Sequence, residues 1–588
     1  MLYDTLSHSL SEHQKECKLL ATLGCCVVVS ALGLRWIRNR SIICKMELEQ
    51  KKRDKSIQEM EKAVTRFKRQ NPETDSRNIL KMTLMELTEK LKDGSLTPEE
   101  VLYTYIGKAL ETTKEFNCVT MFLADCETQL QELKKQKEKG LLYGVPVSIK
   151  DHIDYQGLPS TCGLVQYLEE LKKEDSVIVK VLKKQGAIIF AKTNVPQSLI
   201  SYETSNTIYG CTLNPHNKTK SCAGSSGGEG ALIGAGGSIL GIGTDLGGSI
   251  RLPSSFCGIP GFKPTPKRVS IMGIRSAIDG LLSVPLSVGP MARDVDSITL
   301  CMKALLCEEM FRLDAWVPPL PFNEELYSTE KPLRIGYYET DSFFMPSPGM
   351  RRVVLETKKL LEEAGHKLIR FTPPRIEYMM NELCIKSFFG DGGETMREKF
   401  KPNIVDPNLK DQVFMYNIPR PLKKILSFIL KPLMPRVSYF MDSLRGVSSV
   451  KEHWKHHTDV EEYQAEFLNE WRKLNLDVIL CPMLGPAFNL GYPGKLLAAI
   501  NYTVLYNVLQ FPVGVVPVSS VTNADEEEMK LYKGYNKDLW DKLFKKALEG
   551  TVGLPLSVQC VALPFQDELC LHFMKEVETL HKLHQIKK

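Results

Sequence analysis

Between Ser221 and Lys263 the chain reads SCAGSSGGEGALIGAGGSILGIGTDLGGSIRLPSSFCGIPGFK, with glycine and serine crowded around one apolar, strand-like piece. Glycine at this density implies backbone in unusual conformations or in close approach to another group. A serine hydroxyl is a weak nucleophile until a base sits beside it, so each serine cluster is a candidate for covalent catalysis. In the second cluster, Gly243-Thr244-Asp245-Leu246-Gly247-Gly248-Ser249-Ile250-Arg251, a strand runs into a glycine turn that ends on Ser249. The N–H groups of Leu246, Gly247, Gly248 and Ser249 can converge there on a developing oxyanion, and one such donor is worth about 3 to 4 kcal/mol of barrier. Asp245 and Arg251 flank the turn and read as a structural pair. The first cluster, Gly224-Ser225-Ser226-Gly227-Gly228, matches the G-x-S-x-G elbow literally, with Ser226 as its serine. The polar residues 214–220 before it make a poor strand, and none of His366, His453, His456, His457 or His572 stands in an evident catalytic context. No Gly-Lys-Ser/Thr follows, so this is not a P-loop, and Leu246 stands where a dinucleotide fingerprint needs its third glycine. His453 and His457 have i, i+4 spacing, but without a carboxylate motif a solvated helix face is the preferred reading over a metal site.

Short β-branched or apolar runs at Val145–Ile149, Ala187–Ala191, Ile239–Thr244, Leu333–Tyr337, Val478–Cys481 and Val513–Val518 alternate with helical stretches. That alternation predicts an α/β fold with a largely parallel or mixed sheet covered by helices. Thr97-Pro98-Glu99-Glu100 is a helix start, with Thr97 as cap, Pro98 in the first turn and Glu100 closing a capping box. No Gly/Ser-rich or Pro-rich linker divides the chain after residue 81, which favours one large domain over 81–588 despite a length of 588 residues. The 16 cysteines are scattered with no C-x-x-C, which reads as reduced thiols in a cytosol-facing protein.

Residues 19–34 carry no charge, and Trp36 and Ile37 can extend the run if Arg35 snorkels. A membrane anchor over 19–37 is the expectation, after a short segment 1–18 and before a basic helical linker over 38–80. A cleaved signal peptide and a buried core helix are the competing readings. Lys+Arg exceeds Asp+Glu by 6, and residues 35–70 alone hold 12 basic and 5 acidic residues. The excess is therefore the flank of an anchor, which excludes a diffuse nucleic-acid surface. Within that flank Ile57, Met60, Val64 and Phe67 form a narrow stripe suited to docking on a core. Residues 418–444 hold a second apolar face, Leu422, Ile425, Leu426, Ile429 and Leu433, with Lys423, Lys424, Lys431 and Arg436 beside it. The segment suits either a core helix pair or a membrane interface.

The glycine–serine block, Gly144-Val145-Pro146-Val147-Ser148-Ile149-Lys150, Gly289-Pro290-Met291-Ala292-Arg293-Asp294 and Pro482-Met483-Leu484-Gly485-Pro486 together resemble the amidase signature family of serine hydrolases. The likeness spans nearly the whole chain and is strongest to that family's membrane-anchored branch, whose substrates are fatty-acid amides. It implies a large twisted mixed sheet surrounded by helices and an N-terminal transmembrane helix. It implies a Ser–Ser–Lys triad: Ser249 as nucleophile, Ser225 as the bridging serine with a cis peptide bond, and Lys150 as base. A lysine serves as base only when neutral, which requires burial or neighbouring positive charge. Taken alone, Lys150 reads as a strand-end surface lysine. The likeness further assigns Leu199 a backbone facing substrate, and Phe389, Ile500 and Val504 an acyl-chain channel; Ser226 reads as a second donor or a plain loop residue, with a supporting role preferred. It implies no metal and no cofactor, a homodimer, a membrane-binding cap at 418–444, and attachment to the endoplasmic reticulum with the catalytic domain in the cytosol. The expected reaction converts long-chain fatty-acid amides, N-acylethanolamines such as anandamide and primary amides such as oleamide, to fatty acid plus amine. An amidase or esterase for smaller substrates, or a partner of another membrane enzyme with secondary amidase activity, is the alternative.

Overall fold

The structure is a computed structural model that describes residues 2–136 and 138–587; within the first helix the side chains of residues 2–17, 19, 21, 24, 25, 27–29 and 31 lie outside the described residues. Eleven strands form one mixed sheet: β1 (Val119–Phe122), β2 (Pro146–Lys150), β3 (Ile188–Thr193), β6 (Leu240–Asp245), β7 (Gly261–Lys263), β8 (Ser287–Ala292), β9 (Arg334–Tyr337), β10 (Lys367–Arg370), β11 (Val478–Pro482), β12 (Val513–Ser520) and β13 (Pro555–Val561). β4 (Ser205–Asn206) and β5 (Gly210–Cys211) pair separately. The order is β1-β3-β2-β6-β8-β7-β12-β13-β11-β9-β10. β2 runs parallel to both β3 and β6, and β9 runs parallel to β10 and β11. The other pairs are antiparallel. All six expected runs are strands, and β2, β3, β6 and β11 are buried along their whole length. Burial on both faces is why these strands read as continuous apolar runs without alternation. Thr97 caps the helix Pro98–Phe116 in the expected box with Glu100.

The N-terminal helix, Leu2–Gln70, is continuous through the expected anchor and into the expected linker. Met60, Ala63, Val64 and Phe67 bury their side chains with Leu102, Tyr103 and Ile106 of the helix Pro98–Phe116, and Phe67 stacks on Tyr103 with centroids 4.8 Å apart. Ser56 Oγ accepts the Phe122 N–H at 3.3 Å, so this helix also covers the β1 edge of the sheet. Leu32, Leu34, Trp36 and Ile37 are exposed. Among the described residues no helix is long and apolar enough to cross a membrane. The expected anchor 19–37 falls partly on the residues whose side chains lie outside the description.

The segment 418–444 folds as two helices, Arg420–Leu430 and Pro435–Ser443. Leu422, Ile425, Phe428, Ile429 and Leu433 face outward. Two of the four cations beside that face, Lys423 and Arg436, point inward. Lys423 is buried and donates to the carbonyls of Gly392 and Leu444, at 3.0 and 3.2 Å. Arg436 is buried against Asp538 and Asp541. Charge alone could not separate these clamps from surface lysines, because their acceptors lie in distant segments.

Candidate active site

Lys150 is the last residue of β2 and is completely buried. Its parallel neighbour β6, registered Val147↔Leu240 through Ile149↔Ile242, brings Thr244 to the same sheet end. There Lys150 Nζ lies 2.7 Å from Ser225 Oγ and 2.9 Å from Thr244 Oγ1. Burial lowers the lysine from 10.5 to about 7, although the Asp245, Glu229 and Asp151 carboxylates pull it upward. Ser225 follows a cis Gly224–Ser225 peptide bond and precedes the helix Gly227–Gly234. The Ser226 N–H donates to the Ser249 carbonyl at 3.1 Å, strapping the two serine loops together. Ser226 is itself fully buried, with Oγ 3.3 Å from the Thr244 carbonyl, whereas Ser225 and Ser249 border an open cleft.

The Ser249 turn is built around a buried ion pair. Arg251 donates through Nε and Nη2 to Asp245, each at 3.0 Å, and through its other hydrogens to Asn507 at 2.6 Å, the Thr503 carbonyl at 2.8 Å and Gln559 at 3.1 Å. Burial would raise the Asp245 carboxyl, but Arg251, Lys263 and Asn507 together hold it well below the usual carboxylate range. Asp245 also accepts the Gly248 N–H at 2.8 Å and the Ile250 N–H at 3.1 Å. This differs from the expectation for the turn: Gly248 is spent on Asp245, leaving the N–H groups of Leu246, Gly247 and Ser249 as oxyanion candidates. Gly248 has φ +122°, and a Cβ there would meet Thr503 Oγ1 at 2.4 Å, so no other residue fits.

The cleft is lined by His152, Leu199, Leu246, Gly247, Phe388, Phe389 and Ile500 beside the two serines. Leu199 has φ +66°, one of two successive left-handed residues with Ser198. Val504 stands behind Gly247, 3.7 Å from where a Cβ on that glycine would lie. The expected catalytic, turn and channel residues therefore meet at one site.

Sequence reasoning missed three of its members. Thr244 sits inside an apolar strand, His152 follows the lysine in a turn, and Glu229 is a lone acid among glycines. Glu229 is fully buried, accepts Ser148 Oγ at 2.6 Å and Thr193 Oγ1 at 2.9 Å, and is raised by burial to about 8. A Cβ on Gly241 would meet its carboxylate at 2.1 Å, which explains the glycine in mid-strand. His453 and His457 hydrogen-bond to each other, Nε2 to Nε2, at 3.0 Å. No cluster of three or more metal-ligating side chains occurs among the described residues.

A family model described as Amidase matches residues 100–571. The chain belongs to the amidase signature family. This amidase is 51% identical to fatty-acid amide hydrolase 1 of Sus scrofa over 95% of its own length and 96% of the relative's. It is 56% identical to the vitamin D3 hydroxylase-associated protein of Gallus gallus, over 75% of this chain and 96% of that one. A solved fatty acid amide hydrolase superposes with a TM-score of 0.77 at 25% identity, covering 93% of this amidase and 96% of that chain. The family and these relatives make it a hydrolase of carbon–nitrogen amide bonds.

Proposed function

We propose that this amidase is a membrane-bound serine hydrolase of long-chain fatty-acid amides, using Ser249 as nucleophile, Ser225 as proton bridge and Lys150 as base. The observation that carries the reading is the fully buried Lys150 amine, 2.7 Å from Ser225, which lines an apolar cleft together with Ser249. Ser249 Oγ attacks the acyl carbon as its proton passes to Ser225, whose own proton passes to neutral Lys150. The oxyanion is met by N–H groups of the Leu246–Ser249 turn. The same chain returns a proton to the amide nitrogen as the amine leaves, and water then hydrolyses the acyl-enzyme by the reverse relay. The names of the relatives and the aromatic and aliphatic wall of Phe388, Phe389 and Ile500 support a long acyl chain over a small polar amide. The outward Leu422, Ile425, Phe428 and Leu433, and the exposed Leu32, Leu34, Trp36 and Ile37, support attachment to a bilayer. With these go an anchor over 19–37, a cap at 418–444, a homodimer and a cytosolic face of the endoplasmic reticulum.

Labelling with a fluorophosphonate and mapping the adduct tests the triad. The adduct is expected on Ser249, and Lys150→Ala is expected to slow its formation. An adduct on Ser226, or none on folded protein, overturns the assignment.

A further inference from the structure

We infer that His152 is a positioning residue for the amidase reaction: it fixes the direction of the Thr244 hydroxyl and thereby keeps the lone pair of Lys150 on Ser225. The inference rests on the reading of Lys150 as the base. His152 lies two residues beyond Lys150, buried at the wall of the cleft. Its Nδ1 is 2.7 Å from the Arg275 carbonyl, and the Arg275 N–H returns a bond to the His152 carbonyl at 3.1 Å. A carbonyl only accepts, so Nδ1 carries the hydrogen. Burial, and then the adjacent Lys150 charge, hold the imidazole far below its ordinary 6.5, so no second proton is present. Nε2 therefore bears a lone pair, and it faces Thr244 Oγ1 at 2.9 Å.

The consequence runs along the chain of bonds. The Thr244 hydroxyl has one hydrogen, and His152 takes it. Toward Lys150 Nζ, 2.9 Å away, Thr244 can then only accept. Lys150 must spend an N–H there, and a neutral amine has two N–H bonds and one lone pair. The other close partner is Ser225 Oγ at 2.7 Å, the side from which the catalytic proton arrives. Without an acceptor at position 152 the Thr244 hydrogen is free to turn onto the lysine lone pair and occupy the base.

The test compares His152→Phe, His152→Gln and Thr244→Val in the full chain, by oleamide hydrolysis and by the rate of fluorophosphonate inactivation. His152→Phe is expected to lower kcat and the inactivation rate by about 100-fold, with KM changed by less than about threefold. His152→Gln keeps an oxygen that accepts from Thr244, and is expected to recover most of the loss. Adding His152→Phe to Thr244→Val is expected to cost nothing further, because the bond it acts through is already gone. Near-normal kcat in His152→Phe, a glutamine variant as slow as the phenylalanine one, or additive losses in the double variant would each overturn the inference. Should the phenylalanine not be accommodated, His152→Leu replaces it in the same comparison. A Lys150→Ala variant run alongside separates the two readings. If it stays active, the base assignment itself fails; if it is inactive while His152→Phe is normal, only the role of His152 fails.

Discussion

Residue chemistry at this site is a matter of protonation. Burial depresses Lys150 to about 7, so the amine is charged below that pH and cannot accept a proton. Activity is therefore expected to fall as pH drops through about 7, and Lys150→Ala is expected to lose at least about 100-fold and to abolish that acid limb. A pH–rate profile of the two proteins checks it, and an unchanged limb in the variant would assign the titration elsewhere. The same shift costs stability. The unfolded lysine binds its proton near 10.5 and the folded one near 7, so the unfolded state holds more protons between those values. Stability contributed by this group thus rises with pH across that window. Replacing Lys150 with Met should raise Tm relative to the parent by an amount that grows as pH is lowered from about 10 to about 7 and then levels off. Thermal unfolding at several pH values measures the trend. A Tm difference independent of pH would mean the lysine is not buried as a depressed base.

At the scale of elements, the parallel pairing of β2 with β6 delivers the lysine, while the Asp245–Arg251 pair shapes the nucleophile turn. Both partners of that pair are completely buried, so removing one leaves an uncompensated charge. Arg251→Met is expected to cost about 3 to 5 kcal/mol and to slow fluorophosphonate labelling of Ser249 along with it. Stability retained together with a wild-type labelling rate would show that the turn holds its shape without the pair. The N-terminal helix poses a separate element-level question, because its apolar stripe docks while its upstream half exposes leucines and a tryptophan. Phe67 is buried against Tyr103, and Phe67→Ala should destabilise by about 3 kcal/mol. Chemical denaturation is the readout, and a shift well under 1 kcal/mol would place the docking outside the cooperative unit.

On the scale of the whole molecule, two apolar surfaces, one on each side of the sequence, have to act together if the protein sits on a bilayer. One is the exposed run through Leu32, Leu34, Trp36 and Ile37; the other is Leu422, Ile425, Phe428 and Leu433. Two attachments add their free energies, so vesicle binding is expected to weaken when either is removed and to be lost only when both are. Co-flotation of full-length protein, a variant lacking residues 1–37, a variant with Ile425 and Phe428 changed to Ser, and the combination tests this. Complete release by the first deletion alone would remove 418–444 from the membrane contact.

What was legible in the amino-acid order was whatever has a local physical signature. Strands buried on both faces appear as short apolar runs, a capped helix announces itself in Thr97-Pro98-Glu99-Glu100, and turns that curl backbone onto a substrate need glycine, so the two serine loops stand out. The resemblance carried by those loops and by residues 144–150 points to Lys150, Ser225 and Ser249. Five strands of the main sheet, β1, β7, β8, β10 and β13, escaped because they are short, partly polar or interrupted by glycine and proline. The rest was decided by tertiary structure, because a hydrogen bond or ion pair between distant segments leaves no trace in local pattern. Only register between β2 and β6 sets Thr244 against Lys150, and only the fold brings the Arg275 carbonyl to His152. Only the fold, too, draws Lys423 and Arg436 inward from a segment that reads as largely basic. Sequence determined which groups could do the chemistry; packing determined their protonation and direction, since burial and partner geometry exist only in the folded chain.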